Sequence, residues 1–167
     1  MKYFLIGMIV LMGALLGTTF TTLEKKRLKL LVGMKSCASG VKTALVRRGH
    51  TLDRALLDAK CSDTRLFKRC GEIFAEHPLY DAKTAAQIAA GATREEGVDA
   101  DITEAFTSLI GELSCAGCAE QIEQSIFAFN ERMDELIRFT KEVRMKKAGT
   151  VKNLCLFSGI ALGIILI

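Results

Sequence analysis

The chain has 167 residues, half of them apolar, with 7% aromatic residues and a single proline, which excludes disordered, collagen-like and linker-dominated architectures. Both ends are free of charge, over 21 residues from Tyr3 to Leu23 and 15 from Asn153 to Ile167. All 19 acidic residues and all but one of the 23 Lys and Arg therefore lie between them. That middle is near neutral and lacks the concentrated basic excess and reading module of a nucleic-acid binder.

In chain order, the first element is the run Tyr3 to Leu23. At about 1.5 Å per residue it reaches roughly 30 Å, the thickness of a bilayer's hydrocarbon core, and reads as a transmembrane helix over 3–23. A cleaved signal peptide fits less well, because the basic leader is Lys2 alone and no Ala-x-Ala site ends the run. Glu-Lys-Lys-Arg-Leu-Lys follows at 24–29. Leu31, Met34, Ala38, Val41 and Leu45 then recur at alternating steps of three and four, one face of a helix that continues from the span and ends at Gly49.

Thr51 reads as the N-cap of a short helix carrying Leu52, Ala55, Leu56 and Ala59. Ser62 or Asp63 is placed to cap the next, which turns Leu66, Ile73 and Phe74 inward and closes at Pro78. Ala82 to Ala92 is a small-residue helix suited to close packing, and Asp101-Ile-Thr-Glu104 resembles a capping box opening a helix through Leu113. The acidic pairs Glu95-Glu96 and Asp99/Asp101 belong to turns and caps. No strand pattern competes.

The last helix of the middle reads from Ala119 to Lys147, with Ile122, Ile126, Phe129, Met133, Leu136, Thr140 and Val143 in a 4-3-4-3-4-3 series along one stripe. The stripe packs either on the chain's own bundle or on a partner coiled coil. Its charged side offers Glu123, Glu131, Arg132, Glu135 and Arg138 as a candidate partner-binding face. A second span reads over 148–167, with Lys152 reaching the headgroups and Gly159 and Gly163 allowing close approach of another membrane helix. Arg144, Lys146, Lys147 and Lys152 before this span and the basic residues at 25–29 after the first place the middle, 24–147, in the cytoplasm and both termini outside. The fold class expected is all-α, a cytoplasmic helical bundle flanked by N- and C-terminal transmembrane helices.

Six cysteines raise metal and redox chemistry. Cys115-Ala-Gly-Cys118 has the spacing of a zinc half-site or a dithiol, because two intervening residues bring both sulfurs to one centre. No second Cys-x-x-Cys supplies the remaining ligands: Cys61 and Cys70 are eight residues apart, and His50 and His77 stand singly. Buried packing thiols, a metal site and a redox pair remain the readings at Cys115 and Cys118; Cys37 and Cys155 read as packing residues. Phosphate loops, dinucleotide fingerprints, His-Glu-x-x-His and Gly-x-Ser-x-Gly elbows are absent from the sequence, so neither catalysis nor a cofactor is expected.

The arrangement of a short N-terminal span, a helical middle of about 130 residues and a span ending at the last residue resembles the bacterial stage III sporulation protein AB family. The run Val143 to Ile167 looks like the family's ending, a basic helix followed by a Gly-containing span that stops in isoleucine and leucine. The segment His50 to Leu57 and the pair Leu66-Phe67 are similar to its helix starts. The chain departs from the family pattern at Leu113, where Ser114 and the Cys-x-x-Cys follow in place of a Leu-Gly turn and Asp, and it has no tryptophan. The resemblance implies an interaction platform in a sporulation-specific, secretion-like transport apparatus at the outer forespore membrane, facing the mother-cell cytoplasm. It implies similarity to the cytoplasmic helical domain of F-type platform proteins of type II secretion and type IV pilus systems. The implied partners are a secretion-type ATPase, resembling the family's AA counterpart, other membrane components of the apparatus and further copies of the chain. The alternative function is a membrane-anchored thiol or zinc-binding protein using Cys115 and Cys118.

Overall fold

The computed structural model describes residues 2–59 and 64–165. The described residues are helical, with no strand among them: α1 (Lys2–Lys42), a π-helical turn (Thr43–Arg47), α2 (Leu52–Leu57), α3 (Leu66–Glu76), α4 (Ala82–Ala92), a 3-10 turn (Arg94–Glu96), α5 (Ala100–Cys115), α6 (Ala119–Phe139), a second π-helical turn (Thr140–Arg144) and α7 (Met145–Ile165). The chain divides into two compact units, residues 29–137 and residues 2–28 with 138–165.

The unit of residues 29–137 is a helical bundle in which α2 packs on α3, α3 on α4 and α4 on α5. Its core is built from the expected stripes. Leu31, Met34, Ala38 and Val41 of α1 are fully buried, as are Leu66 and Phe67 of α3, Ala85, Ala86 and Ala89 of α4 and Phe106 and Ile110 of α5. Phe67 and Phe106 meet edge to face with ring centroids 5.0 Å apart, the geometry that aromatic quadrupoles favour. Ile126, Phe129, Met133 and Leu136 of α6 are buried in the same core, so the stripe is taken up by the chain's own bundle rather than held for a coiled-coil partner.

Local signals mark several helix ends. Gly49 at φ +62° and Gly97 at φ +97° take the left-handed conformation that a side chain disfavours. Thr51 occupies the N-cap position of α2 but caps no backbone amide with its side chain; its hydroxyl bonds the Asp53 carboxylate and holds that carboxyl below its ordinary range. Two caps differ from expectation. The helix expected to start at Asp101 starts at Ala100 and is capped by Asp99, whose Oδ1 accepts from the Ile102 amide at 3.2 Å. Ser62 and Asp63 lie outside the described residues. At the start of α3 the Thr64 hydroxyl accepts from the Leu66 amide at 3.1 Å, while Glu96 accepts from the Arg65 amide at 3.0 Å and from the Thr64 hydroxyl at 3.1 Å. A carboxylate brought from 31 residues away thus supports the local Thr64 cap and satisfies one amide that the helix start leaves unpaired.

The helix expected to run regularly from Ala119 to Lys147 is interrupted. Extending the 4-3 series past Thr140 and Val143 would turn Lys147 inward. The π turn at Thr140–Arg144 inserts one residue, and the buried position becomes Ala148, 7% exposed, while Lys147 is exposed. A similar turn at Thr43–Arg47 buries Ala44 and leaves Leu45 half-buried.

The unit of residues 2–28 with 138–165 carries the two apolar runs. Next to them sit buried polar residues: Arg27 is 7% exposed and Thr140 fully buried, and Arg144 reaches Glu24 at 3.9 Å while covering the Phe139 ring. Among the described residues no helix is long and apolar enough to cross a membrane. Many side chains of 3–23 and 153–165, with Gly159 and Gly163, lie outside the described residues.

Candidate interaction surface

The outward side of α6 presents the candidate charges. Glu123, Glu131, Arg132 and Glu135 are all exposed. Glu123 is tied to Lys42 of α1 at 3.0 Å and Arg132 to Glu135 at 3.0 Å, whereas Glu131 has no ion pair among the described residues. Arg138 is exposed too but falls in the other compact unit, so the bundle's own share of the face ends at Glu135. A further link, Lys35 of α1 to Asp134 at 2.6 Å, was not read from the sequence. These exposed pairs each contribute about 0–1 kcal/mol, so their role lies in shaping the surface more than in stability.

Phe127 was also missed. It is 63% exposed on the same helix, out of register with the buried stripe at Ile126 and Phe129. That mismatch was the available signal: an aromatic residue one position off an otherwise regular apolar series faces outward. Leu79, in the turn between α3 and α4, is 98% exposed next to Tyr80, whose ring stacks on His77 at 4.8 Å.

The cysteines depart from expectation. Cys115 and Cys118, read first as buried packing thiols, are both exposed, because α5 stops at Cys115 and the connection to α6 runs over the surface. Gln121 folds back to accept from the Gly117 amide at 2.8 Å, closing that turn without the thiols. Among the described residues no group of three or more Cys, His, Asp or Glu is placed to hold a metal. His50 faces Asp58 at 3.4 Å and His77 is engaged by Tyr80. Cys70 is fully buried, and burial pushes its thiol up to about 12. Cys37, expected to be a packing thiol, is disulfide-bonded; the side chains of Cys61 and Cys155 lie outside the described residues.

An open groove of about 930 Å³ runs between α4 and α5, with Lys83 and Arg94 on one wall and Glu104 and Glu112 on the other. Gly111 lies at its floor, and the aliphatic stem of Lys83 crosses it, 2.9 Å from where a Cβ at 111 would stand. A narrower groove of about 280 Å³ separates α5 from α6 and is lined by Asp101, Glu104, Glu112 and Arg132.

The family model for stage III sporulation protein AB matches residues 2–167. The chain belongs to that family. Membership makes it a sporulation-related protein. No curated protein and no solved structure matches the chain.

Proposed function

We propose that the chain is a membrane-integrated platform of a sporulation-specific, secretion-like apparatus. Its helical bundle faces the mother-cell cytoplasm and docks a secretion-type ATPase that resembles the family's AA counterpart. It acts by position and binding, coupling ATPase to channel, and carries out no bond-breaking itself.

The observation that carries this reading is that both uncharged runs are helical. Residues 3–23 lie within α1 and 153–165 within α7, each helix bringing a cluster of basic residues to one end of its run. Every backbone group must be satisfied internally in lipid, and a helix does so. The polar side chains follow the same rule: the hydroxyls of Thr18, Thr21 and Thr22 donate to carbonyls three residues back at 2.8 Å, and Ser158 donates to the Leu154 carbonyl at 2.7 Å. Met8, Met12, Leu15, Leu154 and Phe157 are each about half or more exposed, a display of apolar surface that water disfavours and lipid accepts. Lys25, Lys26, Lys146, Lys147 and Lys152 are exposed beside the runs, and the positive-inside rule keeps such flanks in the cytoplasm.

One observation favours a second reading. The disulfide at Cys37 is a bond that persists in oxidising compartments, which fits a bundle on the far side of the membrane. The basic flanks favour the cytoplasmic side, and that side alone offers an ATPase its fuel.

The test is a binding titration of the full chain, embedded in lipid nanodiscs, against the purified ATPase. Saturable binding that weakens with salt is the expected result. Absence of binding by a folded chain would overturn the proposal.

A further inference from the structure

Phe127 sits in the middle of the 21-residue α6 with 63% of its surface in solvent. Helical spacing puts it four residues from both Glu123 and Glu131 and seven from Glu120 and Asp134, all on its side of the helix. Lysines of α1 hold two of these acids, Lys42 on Glu123 at 3.0 Å and Lys35 on Asp134 at 2.6 Å. Glu120 and Glu131 are exposed and have no cation among the described residues. The result is an aromatic ring standing out of a rigid helix with uncompensated negative charge before and after it.

We infer that Phe127 anchors a protein-docking site on the outward face of α6, and that its partner offers an apolar pocket rimmed by lysine or arginine. The inference deepens the platform reading and rests on it, giving the ATPase-binding face its chemistry. Charge complementarity selects the occupant. Acids on either side of the ring repel anionic lipid headgroups and nucleic-acid phosphates, which removes a membrane and a nucleic acid as occupants. A second copy docked through the same face would set Glu120 and Glu131 against their counterparts, a juxtaposition that disfavours self-pairing. Aromatic residues filling a desolvated pocket carry most of the affinity in an interface, while rim charges govern encounter and partner choice. The helix is held along its other side by the buried residues Ile126, Phe129 and Met133, so the anchor is presented without a cost of ordering.

Two measurements on the full chain test the inference. The first titrates the nanodisc-embedded chain and its Phe127→Ala and Glu120→Lys/Glu131→Lys variants against the ATPase. Phe127→Ala is expected to weaken binding about thirtyfold with an unchanged circular-dichroism melt, the loss typical of an interface anchor. The double reversal is expected to slow association about tenfold and to flatten its salt dependence. If the wild-type chain binds the ATPase and Phe127→Ala binds equally well, the inference is overturned while the platform reading stands.

The second places benzoylphenylalanine at position 127 in sporulating cells and identifies the crosslinked peptide. It separates failure of the inference from failure of the ATPase assignment. If the chain does not bind the ATPase, a crosslink from position 127 to a Lys/Arg-bearing peptide of another component of the apparatus, lost in the Glu120→Lys/Glu131→Lys background, supports the inference and rejects the ATPase as partner. No crosslink from position 127 in that case overturns both.

Discussion

Replacing Gly71 by alanine probes a close backbone contact between two helices of the bundle. Gly71 lies on α3 where α2 crosses it. A Cβ added there would stand 3.0 Å from Leu57 Cγ, 3.0 Å from the Leu57 amide nitrogen and 3.1 Å from the Asp53 carbonyl oxygen. The Leu57 side chain can yield, but two of the three atoms are backbone, so α2 must move by several tenths of an ångström to restore van der Waals distance. Overpacking of this kind costs about 1–3 kcal/mol, and the better helix propensity of alanine returns about 0.8–1 kcal/mol. The net expectation is a loss of about 1 kcal/mol. Gly91 of α4 and Gly40 of α1 are helical with nothing within 4 Å of an added Cβ, so there the propensity gain stands alone, at about 0.5–1 kcal/mol. Circular-dichroism melts of the full-length variants in one detergent should put Gly71→Ala below wild type and Gly91→Ala above it. Their separation should be about 10 °C, since about 1 kcal/mol moves the midpoint of a domain of this size by roughly 4–8 °C. A Gly71→Ala protein as stable as Gly91→Ala would refute the packing of α2 on α3.

Three further outcomes follow from burial and charge. Phe129→Asp puts a charge without a partner at a position 4% exposed; it should lose more than about 5 kcal/mol and unfold the bundle, seen as loss of the cooperative melt, whereas Glu131→Lys should stay within about 0.5 kcal/mol of wild type. Cys115 and Cys118 should be alkylated in the folded chain at neutral pH while Cys70 reacts only on unfolding; because burial raises the Cys70 thiol from 9.0 to about 12, its protonated form adds no pH dependence below 9 and should lower stability as pH rises from 9 toward 12, as the unfolded thiol ionises first. Cys115→Ser with Cys118→Ser should leave helicity, the melt and metal content unchanged, since the turn they flank is closed by Gln121 and the Gly117 amide; loss of folding together with loss of bound zinc would support the thiol or zinc alternative.

Much of the bundle was legible because its signals are local and periodic. The stripes of α1 and α6 announced Met34, Val41, Ile126 and Met133 as core, and the alanines of α4 announced a closely packed helix with the bounds it has. What escaped depended on residues distant in sequence or on a change of helical period. The bond of Glu96 to the Arg65 amide at the start of α3 cannot be recognised without knowing that the 3-10 turn comes beside it. The π turn at Thr140–Arg144 shows in sequence only as the clash between a regular stripe and Lys147. The candidate charges of α6 were correctly read as exposed, since they avoid the stripe, but their pairing with Lys35 and Lys42 depends on how α1 lies along α6. The exposure of Cys115 and Cys118 turned on where α5 stops, and a cysteine's usual preference for burial pointed the other way.

The side of the membrane on which the bundle stands decides whether an ATP-driven partner can reach it, and the chain carries its own reporters. Cys115 and Cys118 are exposed thiols within the bundle. Protoplasts of vegetative cells induced to produce the full chain, in which the plasma membrane is the only bilayer, are treated with a membrane-impermeant maleimide, before or after permeabilisation, and labelling at these two cysteines is read by peptide mass spectrometry. A cytoplasmic bundle gives no label at Cys115 or Cys118 in intact protoplasts and full label after permeabilisation. Labelling of both in intact protoplasts would place the bundle outside, in agreement with the Cys37 disulfide, and would contradict a cytoplasmic platform for an ATPase.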